Sequence, residues 1–354
     1  MTDPTATDRT TPLPHVVTLG TAGGPRWWDR PDGTSRSGIS TAVVVGDAVY
    51  LVDCGQGTGR QLARAGLRMD QVRGLFLTHL HSDHVVDLPS LLLFGQFERK
   101  DPALPPIAVH GPGGRGALPP VSAHATTTPR PVAPANPTPG TVDLVQQLCA
   151  AYATDINDRV FDSLTRPPSD HFDVHDIALP AGIGFNPNGE VAPEMEPFDV
   201  YRDDDVEVTA TLVAHPPMAP AFAFRFDTPY GSVTVSGDTA PCANLERLAG
   251  GTDLLLHEVI DLDLIARRYT DTAMLNATMD HHRRAHTTAR QAGAIAERAG
   301  ARALALHHLV PADAPHASWF AACETFGGPL YVPDDLDVIP FATAPAAIAG
   351  EVLR

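Results

Sequence analysis

Short apolar runs bounded by glycines fill the region that follows residue 14. The runs HVVTLG, STAVVV and AVYLVDCG are rich in β-branched residues and predict strands. The segments 57–67 and 88–97 predict helices, and RGLFLT at 73–78 predicts a short buried strand between them. A further short strand is expected at 107–109, so this part of the chain alternates strands with helices.

Regular patterns return near Val206. The runs VEVTATLVAH, FAFRF and GSVTVSGD predict three consecutive strands, and LLLH at 254–257 predicts a fourth. The segment 288–300 predicts a helix that ends at Gly300, and ALAL at 303–306 predicts the strand after it. Two halves of strands and helices predict an α/β fold, a four-layer αββα sandwich whose two facing sheets carry helices on their outer sides.

The composition changes between these halves. Residues 119–140 contain seven prolines and a single charged residue, Arg130, which is typical of a loop or linker. Apolar residues at helical spacing over 142–156 predict an amphipathic helix. We therefore expect a flexible tail over 1–14 and one domain over 15–354, with an insertion at 119–204 made of the proline-rich loop 119–140 and a helical cap over 141–204.

The composition of the whole chain argues against several classes of protein. No apolar run is long enough to span a bilayer, and the N-terminus lacks a basic start followed by an apolar stretch, so a cytoplasmic location is expected. The four cysteines form no CxxC pair and suggest neither a disulfide framework nor a thiolate zinc site. The formal net charge of −17 argues against a nucleic-acid partner, although an acidic chain can still contain a local basic groove.

Four candidate metal ligands lie in one hexapeptide directly after the strand predicted at 73–78. If the chain stays extended, His79 and His81 share a face and can bind one ion, while Asp83 and His84 can reach a second. Imidazole and carboxylate suit zinc, which we expect, and also iron or manganese. The alternative is a chance cluster of polar loop residues.

Three further candidate ligands also stand at the ends of predicted strands. His215 ends VEVTATLVAH, Asp238 ends VTVSGD, and His308 ends ALALHH. A carboxylate such as Asp238 can bridge two cations, and two-metal hydrolases hold their ions about 3.5–4 Å apart. The pattern therefore predicts two divalent metal ions held by seven side chains.

Several segments resemble the metallo-β-lactamase superfamily and, within it, its ribonuclease Z and arylsulfatase-like branch: TLGTAGG, LVDCGQGT, THLHSDH, SGDT, LLHE and ALHHL, with the lone His215. The resemblance covers roughly 15–115 and 205–310. It implies two ligand sets that share Asp238: His79, His81 and His215 for one ion, and Asp83, His84 and His308 for the other. His307 is taken as a non-ligand, although the sequence alone does not decide between it and His308.

The resemblance also implies residues around the ligands. Asp53 would support the first metal loop, unless it only forms the turn after its strand. His286 would donate a proton to the leaving group and Glu258 would orient it, and we count both as catalytic together with Asp83. His286 could instead cap a helix or lie on the surface. His281 and His282 carry no assigned role and are expected at the surface.

These expectations together describe a metal-dependent hydrolase of ester bonds in which a metal-bridging hydroxide is the nucleophile. The proline-rich loop and the acidic stretch 190–207 lack the basic arm of ribonuclease Z enzymes. A small-molecule ester is therefore the expected partner: a phosphodiester, a sulfate ester or a lactone. The alternative is a tRNA 3′-processing endoribonuclease, and a non-catalytic metal-binding protein of the same fold is more remote. Nucleic acid and membrane are not expected as partners, and the family resemblance suggests a homodimer.

Overall fold

The first of two seven-stranded sheets is built mainly from the N-terminal half of the chain. The computed structural model describes residues 13–30, 32–123 and 125–341. The strands of this sheet are β1 (His15–Gly20), β2 (Ser40–Val45), β3 (Ala48–Val52), β4 (Val72–Phe76), β5 (Ile107–Pro112), β6 (Phe172–Ile177) and β14 (Val338–Pro340). Their order is β14-β1-β2-β3-β4-β5-β6, and β3 to β6 run parallel.

The second sheet comes from the C-terminal half. Its strands are β7 (Phe198–Arg202), β8 (Glu207–Leu212), β9 (Phe222–Thr228), β10 (Gly231–Val235), β11 (Leu254–Ile260), β12 (Leu304–Val310) and β13 (Leu330–Tyr331). Their order is β13-β12-β11-β10-β9-β8-β7. Strands β10 to β13 are parallel, and β8 shares their direction because it and β10 are both antiparallel to β9.

The two sheets pack face to face. Phe76 of β4 makes an edge contact with Phe226 of β9, with ring centroids 5.2 Å apart, and Tyr50 lies in the same buried cluster. The helices are α1 (Thr58–Arg64), α2 (Ser82–Val85), α3 (Leu88–Glu98), α4 (Thr141–Ala151), α5 (Ala153–Asp162), α6 (Ala243–Leu248), α7 (Leu262–Ala266), α8 (Thr272–Ala285) and α9 (Ala289–Ala299).

Helices cover the outer face of each sheet. Leu62 of α1 and Leu91 of α3 pack on the first sheet, while Leu245 of α6 and Ile295 of α9 pack on the second. Helix α9 ends as expected at Gly300, whose φ of 66° is left-handed. The predicted αββα sandwich is therefore confirmed.

The segment 141–204 differs from the expected helical cap. Helices α4 and α5 begin it, but Val145 of α4 is buried against the first sheet. Strand β6 then extends the first sheet and β7 extends the second. The segment is thus part of the sandwich. The expected flexible tail over 1–14 falls almost wholly on residues 1–12, which lie outside the described part of the chain. Within the described residues, no helix has the length and apolarity needed to cross a membrane.

Candidate metal centre

The chemically active side chains collect at one edge of the sandwich. Strands β4, β8, β10 and β12 each end there and carry the predicted ligands near or just after their last residues. Strand β11 ends beside them and carries Glu258. The carboxyl ends of strands that share a direction meet at the same edge, and loops at such an edge can aim side chains into one cleft. This topology explains why residues far apart in sequence lie together.

The first set of side chains is a tight group of three histidines. His81 Nδ1 lies 3.0 Å from His79 Nε2 and 3.1 Å from His215 Nε2. His215 Nδ1 is 2.8 Å from the carbonyl oxygen of Ala285, to which it donates its proton, so its Nε2 is left to face the cluster. Burial lowers the pKa of both His79 and His215 well below the usual value, so both rings are neutral and able to bind a metal.

The second set combines two carboxylates and two histidines. His308 Nε2 lies 3.3 Å from both Asp83 Oδ2 and Asp238 Oδ1, and His84 Nε2 lies 3.4 Å from that same Asp238 oxygen. The backbone N–H of Gly24 donates to Asp83 Oδ2 at 2.9 Å and fixes its carboxylate. These four residues offer ligand atoms that all lie within 4.8 Å of one another.

Asp238 stands between the two sets. Its Oδ1 faces His84 and His308, whereas its Oδ2 lies 3.9 Å from His79 Nε2 and 3.8 Å from His215 Nε2. Asp238 is 3 % exposed, and its Oδ1 and His84 Nε2 are buried with no hydrogen-bond partner within the described ranges. Buried polar atoms normally find a partner. A buried carboxylate oxygen and a buried imidazole nitrogen without hydrogen-bond partners are suitable ligands for a metal ion bound between them.

A bulge in β12 selects His308 over its neighbour. The pairing of β11 with β12 joins Glu258 to His307 and Val259 to Leu309, which leaves His308 as the extra residue. Its φ of 47° is left-handed, and such a bulge redirects a side chain. His307 instead lies between the sheets, with its Nδ1 3.4 Å from Thr41 Oγ1.

Asp53 positions one side of the cluster. Its Oδ2 accepts a hydrogen bond from His84 Nδ1 at 2.8 Å, and its Oδ1 accepts one from the Thr78 backbone N–H at 2.8 Å. The carboxylate therefore directs His84 Nε2 toward the second set. Gly23 leaves space for another of the predicted ligands, since a β-carbon at this position would lie 2.4 Å from the His308 ring. Nothing in the sequence pattern signals the roles of Gly23 and Thr78.

His286 and Glu258 also meet at this edge. His286 Nδ1 lies 3.1 Å from Glu258 Oε1, which also accepts the Thr239 backbone N–H at 3.0 Å. Burial opposes protonation of His286, but the Glu258 carboxylate outweighs it and raises the pKa of His286 to about 9. His286 Nδ1 lies 4.0 Å from Asp238 Oδ2, so the pair adjoins the cluster.

His281 and His282 differ from the expected surface position. Both lie near the end of α8 and are partly buried beside His286. Burial lowers the pKa of each to about 4. In the loop that follows β1, Trp28 is buried, whereas its neighbour Trp27 is 85 % exposed.

Comparison with known proteins identifies the class first. Residues 35–129 match the model of the metallo-β-lactamase superfamily. The metallo-β-lactamase fold protein YhfI from Bacillus subtilis shares the fold, with a TM-score of 0.55 and 19 % identity over 92 % of this chain and 99 % of that one. The short form of human tRNase Z does so with a TM-score of 0.59 and 20 % identity, covering 93 % of this chain and all of the human one.

Similar proteins of known family identify a family within this superfamily. Ribonuclease Z from Mycolicibacterium gilvum is 32 % identical over 327 residues, which cover 91 % of this chain and 94 % of the relative. Ribonuclease Z from Mycobacterium avium is 32 % identical over 325 residues, covering 91 % and 96 %. The chain therefore belongs to the metallo-β-lactamase superfamily and, within it, to the ribonuclease Z family, whose members are metal-dependent hydrolases of ester bonds.

These relatives correct the expectation about partners. A small-molecule ester was expected and nucleic acid was not, and both expectations conflict with relatives that are ribonucleases. The expectation rested on the missing basic arm, the acidic stretch 190–207 and the net charge of −17, and none of these says which charges line the cleft itself.

Proposed function

We propose that this protein is an endoribonuclease that hydrolyses a phosphodiester bond in precursor tRNA, on the 3′ side of the tRNA, with two divalent metal ions. The similarity to ribonuclease Z along nine-tenths of the chain carries this proposal. The grouping of the two ligand sets around Asp238 supports it, because a shared carboxylate is typical of two-metal phosphodiester hydrolysis.

The ligands would divide into two sets, each completed by Asp238. His79, His81 and His215 would hold one ion, and Asp83, His84 and His308 would hold the other. Imidazole nitrogen and carboxylate oxygen favour zinc, and manganese or iron also suit them. When bound, such ions activate water at neutral pH and offset the charge that develops on the phosphate.

His286 would act as the proton donor to the departing ribose oxygen. Its Nδ1 is held by Glu258 at 3.1 Å, which leaves Nε2 free to donate. Glu258 is fully buried and is itself held by backbone N–H groups, so the orientation of the ring is fixed. In this arrangement Glu258 positions the donor, and Asp83 combines metal binding with a place beside the reacting phosphate.

Two cavities adjoin the cluster and would give an RNA strand room beside it. One of about 490 Å³ opens beside His81 and is lined by Leu80, Val85 and Met218, with prolines of the proline-rich loop. The other, of about 300 Å³, opens beside Asp83 and is lined by Trp27. An endonuclease needs room beyond the cleaved bond, because its substrate continues past that bond in both directions.

A cleavage assay tests the proposal. Zinc-reconstituted protein should cut a precursor tRNA labelled in its 3′ trailer at one position, and a chelator should abolish the cut. Asp238→Ala should remove cleavage, whereas the matched control Asp173→Ala, at an exposed aspartate of β6, should retain it. An uncut precursor after incubation with protein shown to carry two ions would overturn the proposal.

A further inference from the structure

A second group of histidines lies beside the candidate metal centre. His281 and His282 near the end of α8 and His286 just after it each offer a nitrogen, and these nitrogens all lie within 4.8 Å of one another. The ring centroids are 5.3 Å apart for His281 and His282 and 5.4 Å apart for His282 and His286. Neither His281 nor His282 has a part in the function proposed above.

The geometry of this triad suits a transition metal. Three histidine nitrogens about 2.0–2.1 Å from a tetrahedral zinc lie about 3.4 Å from one another. No pair of the three nitrogens lies more than 4.8 Å apart, which is at most about 1.4 Å more than this spacing. His286 follows the end of α8, and its backbone N–H donates to the His282 carbonyl oxygen at 3.0 Å, which holds the two residues one helical turn apart.

Two further observations point to a ligand at the triad. His282 Nδ1 is buried and has no hydrogen-bond partner in the part of the chain that the structure describes. Glu258 holds His286 Nδ1 at 3.1 Å and leaves Nε2 exposed to a ligand. A carboxylate behind a histidine in this way is the usual support of a metal-binding imidazole.

Nearby arginines set the strength of such a site. The positive charge of Arg26 acts on His282 and that of Arg284 acts on His281, and both disfavour a cation. The triad also lacks a carboxylate ligand, in contrast to the set around Asp238. A metal should therefore fill the triad only after the two positions of the main cluster.

We propose that His281, His282 and His286 form a third, inhibitory site for a divalent transition metal such as zinc. Binding displaces the proton of His286 and occupies the nitrogen that would donate to the leaving group. The inhibitory effect rests on the function proposed for His286, whereas the binding of the third ion does not. Excess zinc should thus slow RNA cleavage in a protein that already holds two ions.

Metal stoichiometry is the direct test. Protein loaded with two zinc ions is dialysed against rising free zinc, and bound metal is measured by elemental analysis. We expect a third ion to bind to the unaltered protein. His282→Ala should keep two ions and bind the third at least about 10–100-fold more weakly, as is typical when metal coordination loses support. His175→Ala, an exposed histidine of β6, serves as the control and should bind three.

Cleavage of RNA is then measured in the same zinc series. His281→Ala and His282→Ala should cut at the normal rate with two ions and resist inhibition by added zinc, whereas His175→Ala should be inhibited like the unaltered protein. A third ion that binds equally well to His282→Ala, or no third ion at about 1 mM zinc, would refute the site. Absence of all RNA cleavage would refute the proposed function instead, and the stoichiometry would still decide the site.

Discussion

Replacement of Asp53 by asparagine should weaken one metal position with little effect on the backbone. Asp53 has a φ of 60°, a left-handed conformation that asparagine also adopts. The Thr78 N–H binds Oδ1 at 2.8 Å, so the amide oxygen of the variant should stay there and its NH₂ should face His84. That group donates to His84 Nδ1, which moves the ring proton to Nε2. The nitrogen that faces Asp238 then has no lone pair for a metal.

The size of this effect follows from the support that His84 loses. Loss of such a partner typically costs about 10–100-fold in metal affinity, which equals about 1.4–2.7 kcal/mol. The affinity of each ion can be measured by competition with a chelator of known strength. We expect one of the two ions to bind that much more weakly and the other to be unaffected.

Asp87→Asn is the matched control for this experiment. Asp87 Oδ2 accepts the N–H of Gly59 at 2.8 Å, and none of its side-chain hydrogen bonds within the described residues goes to a predicted ligand. The control should bind both ions as the unaltered protein does. If Asp53→Asn binds both ions as tightly as the unaltered protein does, or if its affinity for both ions falls equally, then Asp53 does not act through His84.

Three other changes test separate parts of the site. Gly23→Ala should lower the metal content toward one ion, as elemental analysis would show, because the new β-carbon would lie 2.4 Å from the His308 ring; two tightly bound ions would contradict this. His286→Ala should slow RNA cleavage by about 10²–10⁴-fold with both ions retained. It should slow hydrolysis of a nitrophenyl phosphodiester much less, because that leaving group needs little protonation. Equal losses of rate for the two substrates would show that His286 is not the proton donor. Arg284→Ala should weaken RNA binding and lower the slope of log affinity against log salt by about 1; an unchanged slope in a filter-binding series would place the RNA elsewhere.

The sequence predicts most of the ligand cluster because strand ends are visible in it. Each apolar run that ends in histidine or aspartate marks a point where the chain leaves a sheet, and parallel strands bring these points to one edge. The choice of His308 over His307 came from the family resemblance and not from the pattern of residues along the chain. It depends on a bulge in the pairing of β12 with β11, a tertiary feature that strand periodicity does not encode.

The segment 141–204 was misjudged for a different physical reason. Strands β6 and β7 lie at the outer edges of their sheets. An edge strand buries few of its side chains, and FDVHDI in β6 buries only Phe172 and Ile177. Such strands carry no continuous apolar run, so their polar residues predict irregular chain. The helical spacing over 142–156 correctly indicated helix, but the structure divides this stretch into α4 and α5 at Tyr152. The spacing also did not reveal the sheet that α4 packs against.

An acidic chain can act on a polyanion if the charge at the cleft differs from the total. Asp83 and Asp238 are the two carboxylates among the predicted ligands, so two divalent ions would leave the cluster with a formal charge of about +2. The exposed side chains of Arg26 and Arg284 add positive charge at the same rim, where they act on His282 and His281 respectively. Charges beyond a Debye length of about 8 Å are largely screened at physiological salt. The phosphate at the cleft would therefore respond to this local positive field, and the acidic residues elsewhere on the surface would hardly oppose its binding.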